Sequence, residues 1–226
     1  MKQQYLGDSK DSFKWDYHDY LTDFLGYKTL QILLMLTPDD MSKEGRTSPD
    51  LFPAKEEIIQ YCHQLRTHRD LSRIGDLPGR TGSGYRVHLH KGRDYFTKQN
   101  RNDYFKGISN FGDQVVLLDP DNGFEPKGSY SEKHVTYSEI ETILHQLSIN
   151  SVVSVFQHFR RVSFEEDFRR IRERLTNTIP LIHATAIYRH QLMFVLLSQS
   201  EKVIYQVRAT NLHYAQQRNG KISCCF

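Results

Sequence analysis

Cysteine is scarce in this sequence, which has only Cys62 and the adjacent pair Cys224 and Cys225. Neither a disulfide framework nor a pair of cysteines at zinc-ligand spacing is present, so we expect reduced thiols rather than a disulfide-stabilised secreted fold. Long hydrophobic runs are also missing, because the longest one, near residues 30–36, is far too short to span a bilayer. Residues 1–20 are polar and charged, which is not the pattern of a signal peptide. We therefore expect a cytoplasmic protein with no membrane partner.

A strong charge of either sign is lacking too, since the net charge is only +3. Such a mild value neither demands nor excludes a nucleic-acid partner. The length of 226 residues allows one large domain with a real core, and we find neither internal repeats nor low-complexity segments. Tyr and Phe, with 13 of each, compensate in bulk for the modest number of aliphatic side chains.

The hydrophobic pattern alternates between strand-like and helix-like segments. Short apolar runs predict strands at residues 29–36, 85–90, 114–119 and 151–156. Amphipathic spacing predicts helices at 13–26, 54–68, 94–106, 137–147, 163–175 and 200–216. Two further runs, 183–188 and 191–198, are separated only by Arg189 and His190 and predict a β-hairpin. We therefore expect an α/β fold: a single-domain three-layer αβα sandwich over 1–226, with a mostly parallel sheet and a C-terminal antiparallel hairpin.

Polar residues follow three of the predicted strands at the point where each strand ends. These segments are 37–40 (TPDD), 119–123 (DPDNG) and 157–161 (QHFRR). Because ligands of open parallel sheets bind beyond the carboxyl ends of the strands, we expect the three segments to face one cleft. Asp119 ends the most apolar strand, where a carboxylate is costly unless it is paired or used. The alternative is an ordinary turn, since Asp, Pro, Asn and Gly all favour turns.

The segment after the strand at 151–156 offers His158 and Arg160 as ligands for an anion or a base, and the following helix N-terminus favours anions. The alternative is a solvated loop. At the other end of the chain, Asp8, Asp11 and Lys14 are spaced by three and could share one helix face. The glycine-rich stretch 79–84 lacks the Lys-Ser/Thr of a P-loop and precedes a strand, so it does not predict phosphate binding.

Two short motifs and the order of elements resemble the class I, Rossmann-like methyltransferases that use S-adenosylmethionine, most closely the branch that modifies adenine in ribosomal RNA. That branch has a Gly-x-x-x-Asp-x-x-Lys segment before the first strand, and Gly7, Asp11 and Lys14 stand in this arrangement. Its Asp-Pro-Pro-Tyr motif ends the fourth strand, and Asp119-Pro120-Asp121-Asn122 ends an equivalent strand here. The second proline and the aromatic residue are thus replaced, and segment 37–40 stands where a glycine-rich turn is usual.

The resemblance implies S-adenosylmethionine as cofactor and a nucleic acid or nucleotide as substrate. Cofactor-binding candidates lie in the first segment and after the first strand: Gly7, Asp8, Asp11, Lys14 and Asp39. The catalytic candidates are Asp119, which would orient the acceptor amine, with Asp121 and His158. Substrate-binding candidates follow the later strands: Asn122, Phe124 as a substitute for the stacking aromatic, Arg160 and Arg161.

Two alternatives remain open from the residues themselves. The first is a metal-dependent hydrolase, such as a nuclease, in which Asp8, Asp119, Asp121 and Glu125 supply oxygen ligands suited to Mg²⁺. His158 or Lys14 would then act as a base or stabilise charge. The second is a binding module that has kept the fold without catalysis, because fold does not decide function.

Overall fold

The computed structural model describes residues 1–41, 45–92, 94–218 and 221–226. The α-helices of the described residues are α1 (Ser9–Phe24), α2 (Glu56–His68), α3 (Leu77–Thr81), α4 (Arg101–Tyr104), α5 (Tyr137–Leu144), α6 (Phe164–Thr178) and α7 (Glu201–Gln217). The strands are β1 (Thr29–Leu33), β2 (Arg86–Leu89), β3 (Val115–Leu118), β4 (Gly123–Phe124), β5 (His134–Val135), β6 (Val152–His158), β7 (His183–Arg189), β8 (Leu192–Ser198) and β9 (Ser223–Cys225).

One mixed sheet of 7 strands runs through the chain in the order β2-β1-β3-β6-β8-β7-β9. Strands β2, β1, β3 and β6 pair with one another in parallel, whereas β8 is antiparallel to both β6 and β7, and β9 is antiparallel to β7. The predicted α/β class, the parallel first part of the sheet and the hairpin near the C-terminus are therefore confirmed. β4 and β5 form a separate parallel pair of two residues each.

The central strands are apolar throughout because both of their faces are covered. In β3, Leu117 belongs to one hydrophobic cluster, together with residues of α1, α2 and α7, while Leu118 belongs to another, together with residues of α5 and α6. Successive side chains of a strand point to opposite faces, so the two clusters lie on opposite sides of the sheet. Two covered faces explain the continuous apolar run at 114–119, since a half-exposed strand would alternate.

Several predicted boundaries were wrong for local reasons. Helix α1 begins at Ser9 rather than near residue 13, because the Asp8 side chain caps it. The predicted helix 94–106 is reduced to α4, and Phe96 instead bonds through its N–H to the Leu36 carbonyl, 2.7 Å away. Asn100 and Thr97 bond each other's backbone N–H groups through their side chains, which diverts this stretch from helix.

Parallel register brings the ends of β1, β3 and β6 to one edge of the sheet, where Leu33 is aligned with Leu118 and Leu118 with Val155. The segments after these strands therefore meet at that edge, as predicted. The N-terminus of α1 lies there as well, since Lys14 contacts Asp119. None of the described helices is long and apolar enough to cross a bilayer.

Candidate functional site

A cavity of about 240 Å³ opens at this edge, between α1 and the ends of β3 and β6. We call it the first cavity. Its carboxylates come from Asp8, Asp11, Asp40, Asp119 and Asp121. Its amines come from the Met1 amino group and from Lys2, Lys10, Lys14 and Lys133, and the Tyr5 and Phe156 rings supply apolar wall. A wall with both signs of charge suits a ligand that itself carries both signs.

A buried ion triad joins α1 to the end of β3. Lys14 Nζ lies 2.8 Å from Asp11 Oδ1 and 2.7 Å from Asp119 Oδ2. Burial lowers the pKa of Lys14, but the two carboxylates outweigh it and the net pKa is raised, so Lys14 is a permanent cation. Burial raises the pKa of Asp119, and the Lys14 charge opposes that shift. The triad thus connects the segment before the first strand to the predicted catalytic loop through buried ion pairs.

Gly7 completes the triad from the backbone, since its N–H donates to Asp11 Oδ2 at 2.7 Å. Its φ of +81° lies in the left-handed region. A Cβ here would stand 2.2 Å from the Cys62 carbonyl oxygen and 2.6 Å from the Arg66 backbone nitrogen. Glycine is therefore required for the close approach of this segment to α2.

Asp8 is buried at the N-terminus of α1, where it accepts from the backbone N–H groups of Lys10 at 2.8 Å and Asp11 at 3.0 Å. Burial and the neighbouring Asp11 carboxylate raise the pKa of Asp8 to about 6. Asp8 is a structural residue because it caps α1. It is also a candidate binding residue because it lines the first cavity.

We expect Asp8→Asn to flatten the pH dependence of stability. Between the ordinary pKa of 3.8 and about 6, folded Asp8 holds a proton that the unfolded chain has released. The free energy of unfolding therefore falls as pH rises through this window. Asn keeps the cap but cannot ionise. From pH 4 to pH 7 the free energy of unfolding of the variant should rise by about 1–3 kcal/mol relative to that of the wild type. Urea denaturation at a series of pH values measures this difference. Equal pH profiles for the two proteins would contradict the shifted pKa.

Asp121 lies in the loop between β3 and β4. Its carboxylate accepts from the Thr37 hydroxyl and lies 2.8 Å from the Met1 amino group, which also donates to the Asp119 carbonyl at 2.8 Å. Burial raises the pKa of Asp121, but the amino group and the Thr37 hydroxyl outweigh it, so the net pKa is lowered. Asp121 is therefore an ionised acceptor in the wall of the cavity.

His158 lines the cavity from the end of β6. Its Nε2 lies 3.3 Å from Lys10 Nζ, and its Nδ1 lies 3.2 Å from the Phe159 carbonyl oxygen. An ammonium group only donates and a carbonyl only accepts, which assigns the proton to Nδ1 and leaves Nε2 as the acceptor. In this tautomer Nε2 accepts from the Lys10 ammonium group.

The structure places most of the predicted site residues in the wall of this cavity: Asp8, Asp11, Lys14, Asp119, Asp121, Asn122 and His158. Gly7 stands behind the wall as a donor to Asp11, and Asp39 accepts from the Gln4 N–H at 3.1 Å while its neighbour Asp40 lines the cavity. Lys2, Lys10 and Lys133 could not be predicted as cavity residues, because single lysines carry no recognisable spacing.

Three substrate-binding candidates lie away from the first cavity. Phe124 is fully buried and packs against Tyr137 with ring centroids 5.3 Å apart, so it is placed as a core residue rather than a stacking surface. Arg160 bonds to the Phe124 carbonyl and lies 3.6 Å from Asp167, facing a different cavity. Arg161 is exposed.

Of the four oxygen ligands of the hydrolase alternative, Asp8, Asp119 and Asp121 line the first cavity but Glu125 does not. Glu125 accepts from the Tyr137 N–H at 3.1 Å and lies 3.6 Å from Arg174, away from the first cavity. Among the residues that the structure describes, no group of three His, Cys, Asp or Glu side chains is placed to hold a metal ion. The geometry therefore does not favour a Mg²⁺-dependent hydrolase.

No protein-family model matches the chain, and neither a curated protein nor a solved structure matches it significantly. A proposal for function therefore rests on the first cavity and its side chains.

Proposed function

We propose that this protein is a methyltransferase-like enzyme that binds S-adenosylmethionine in the first cavity and acts on a nucleotide or nucleic acid. The observation that carries the proposal is the buried triad of Asp11, Lys14 and Asp119. It unites, in one wall, the two segments that carry the resemblance: the stretch from Gly7 to Lys14 and the loop that begins at Asp119. Lys14 and Asp119 are 105 positions apart in the chain and share this buried ion pair.

The sheet supports the same proposal at the level of fold. Hydrophobic clusters on both of its faces fit a single-domain three-layer αβα arrangement. A reversed strand, β8, stands between β6 and β7, which run in the same direction as each other. The terminal hairpin, predicted from the hydrophobic pattern, fits the Rossmann-like sheet of the family that the chain resembles.

The side chains present fit the cofactor by charge. S-adenosylmethionine carries a carboxylate, an ammonium group, a sulfonium cation and two ribose hydroxyls. The lysines of the cavity suit the carboxylate, and the carboxylates of Asp8 and Asp11 suit the ammonium group or the hydroxyls. The volume of about 240 Å³ is just below the usual range for small-molecule sites, roughly 300–1,000 Å³. A ligand of this size therefore extends beyond the first cavity.

The bound cofactor would supply an electrophilic methyl group, and the protein's task is to orient and deprotonate the acceptor. Lys14 holds the Asp119 side chain in place and so fixes the loop that follows β3. Asp121 is ionised in the wall of the cavity and can accept hydrogen bonds from the acceptor amine. His158 can take the released proton at Nε2 once the acceptor amine displaces the Lys10 ammonium group from that nitrogen.

We expect His158→Gln to lower methyl transfer by about 100-fold or more while leaving cofactor affinity unchanged. The assay follows label from methyl-labelled S-adenosylmethionine into mixed nucleotides, RNA and single-stranded DNA. His145→Gln is the matched control, since this histidine is 71% exposed at the end of α5. Binding of the cofactor without transfer to any acceptor would favour the binding-module alternative. Equal rates in both variants would remove His158 from the mechanism.

A further inference from the structure

Another cavity, of about 230 Å³, lies at the same edge of the sheet as the first one. We call it the arginine cavity, after three residues of its wall: Arg160, Arg170 and Arg174. His158 lines the first cavity and Arg160, two positions later, lines the arginine cavity. Asn122 lines the first cavity and Pro126, four positions later, lines the arginine cavity. Two residues of chain span at most about 7 Å, so the two cavities are neighbours.

Cations outnumber acids in the wall of the arginine cavity. Lys127 joins the three arginines, whereas Asp167 is the one acid among the described residues of this wall. The Asp167 side chain is only 5% exposed, and its Oδ1 lies 3.6 Å from Arg160 Nη1. The wall of the first cavity, by contrast, has five carboxylates. An excess of cations favours an anionic ligand.

Two carboxylates outside this wall pair with the arginines of α6 without engaging all of their donors. Glu166 accepts from Arg170 Nε at 2.7 Å. The Glu125 carboxylate lies 3.6 Å from Arg174 Nη2, and the Glu125 backbone carbonyl accepts from Arg174 Nη1 at 3.0 Å. A guanidinium has five N–H donors, so both arginines keep donors that no described residue accepts. Their side chains are 51% and 34% exposed, which leaves these donors open to a ligand.

Arg160 and Tyr137 add donors from two further elements. Arg160 follows β6 and donates from Nη2 to the Phe124 carbonyl, while its side chain is 28% exposed. Tyr137 begins α5, and its hydroxyl bonds to no described residue. Burial raises the pKa of Tyr137 to about 12, so the hydroxyl keeps its proton at neutral pH and can donate. The Arg174 guanidinium carbon lies 4.2 Å from the centroid of the Tyr137 ring, which brings these donors together.

We propose that the arginine cavity binds a backbone phosphate of a single-stranded nucleic acid whose target base lies beside His158 in the first cavity. Arginine forks match the oxygens of a phosphate, and the Tyr137 hydroxyl adds a neutral donor. Lys127 and Arg161 are exposed and continue the positive surface outside the cavity. A ligand that fills both cavities needs a base and a phosphate some distance apart, which a strand provides. Single-stranded substrate is favoured because a base inside a duplex cannot enter a cavity.

This inference rests on the proposed function for the role of the strand as methyl acceptor. The binding of a phosphate in the arginine cavity does not rest on it, because the arginines and the Tyr137 hydroxyl require no cofactor. The two can therefore be tested separately.

The test is fluorescence anisotropy of a labelled single-stranded RNA decamer, titrated with the protein at several salt concentrations. Arg170→Ala should weaken binding about fivefold or more, because it removes a charged donor of the phosphate. It should also lower the slope of log affinity against log salt by about 0.7, the value for one phosphate contact of a single strand.

Arg169→Ala is the matched control. Arg169 is the preceding residue of α6, is 55% exposed and also pairs with Glu166, but it does not line the arginine cavity. It should leave both the affinity and the salt slope close to those of the wild type. Equal losses in the two variants would show that binding follows overall charge, and would overturn the site.

Two further variants keep the test valid if Arg170→Ala fails to fold. Lys127 is exposed and bonds to no described residue, so Lys127→Ala should fold normally and also lower the salt slope by about 0.7. Tyr137→Phe removes only a neutral hydroxyl and should weaken binding about threefold or more with the salt slope unchanged. Wild-type affinity in both variants would overturn the proposed phosphate site.

Different failures separate this inference from the proposed function. A protein that binds S-adenosylmethionine but not the decamer overturns the arginine cavity as a strand site alone. Decamer binding that depends on Arg170 but occurs without any S-adenosylmethionine binding supports the phosphate site and overturns the proposed cofactor. Inorganic phosphate or adenosine 5′-monophosphate that binds as tightly as the decamer would overturn the strand and identify the free phosphate as the ligand. Equally tight binding of a double-stranded decamer would overturn the preference for a single strand.

Discussion

Lys14→Met should lower the free energy of unfolding by about 3–5 kcal/mol, because it leaves two buried carboxylates without their cation. The side chains of Lys14, Asp11 and Asp119 are only 5%, 4% and 3% exposed, so water cannot replace the lost charge. Methionine keeps most of the volume, which separates the charge effect from a cavity effect. Urea denaturation with a two-state fit measures the change.

Lys106→Met is the matched control for this prediction. Lys106 pairs with Asp103 at the same spacing of three residues and a similar distance, 2.7 Å, but both side chains are at least 70% exposed. A surface pair of this kind contributes little to the free energy of unfolding, because water and salt screen it. Adding Asp119→Asn to Lys14→Met should restore part of the loss, since one uncompensated charge is removed. If Lys14→Met lowered the free energy of unfolding no more than Lys106→Met does, the buried triad would contribute no more to stability than an exposed ion pair.

Gly7→Ala should also destabilise the fold, by about 2–5 kcal/mol, through two effects that add. A non-glycine residue at positive φ costs about 1–2 kcal/mol. Overpacking against backbone atoms that cannot rotate away costs about 1–3 kcal/mol more. Because the Gly7 N–H donates to Asp11, the same substitution should displace the triad. It should therefore also weaken the binding of any ligand in the first cavity.

Gly82→Ala separates the two effects. Gly82 has a φ of +74°, close to that of Gly7, but a Cβ there meets no atom within 4 Å. This variant should therefore lose only the backbone part, about 1–2 kcal/mol. Thermal or urea unfolding of both variants gives the comparison. Equal losses at Gly7 and Gly82 would mean that the close approach to α2 has no energetic consequence.

The main elements of the fold and much of the site could be predicted because they rest on strong, local patterns. Asp119 directly after an apolar run indicated a strand end with a costly carboxylate, and that carboxylate is indeed buried and paired. The spacing of Asp11 and Lys14 predicted one helix face, and the two side chains bond at 2.8 Å. Such signals depend only on residue type and on the helix or strand period.

Other features depend on contacts that no local pattern reveals. Phe124 belongs to a strand of two residues, too short to show a period, and its burial follows from packing against Tyr137. The short β9 strand was missed for the same reason. Arg189 was predicted only as a turn residue, and its relation to Phe52 appears only when the hairpin meets α1 and the 47–52 segment.

The most direct test of the proposed function is a calorimetric titration of the wild-type protein with S-adenosylmethionine, alongside the fluorescence of Trp15, which lies next to Lys14. Saturable binding is the predicted result, with affinity reduced about tenfold or more in Asp8→Asn, where a carboxylate of the cavity loses its charge. Asp70→Asn, which alters another capping aspartate, should bind like wild type. Absence of binding by the wild-type protein at millimolar cofactor would contradict the proposal.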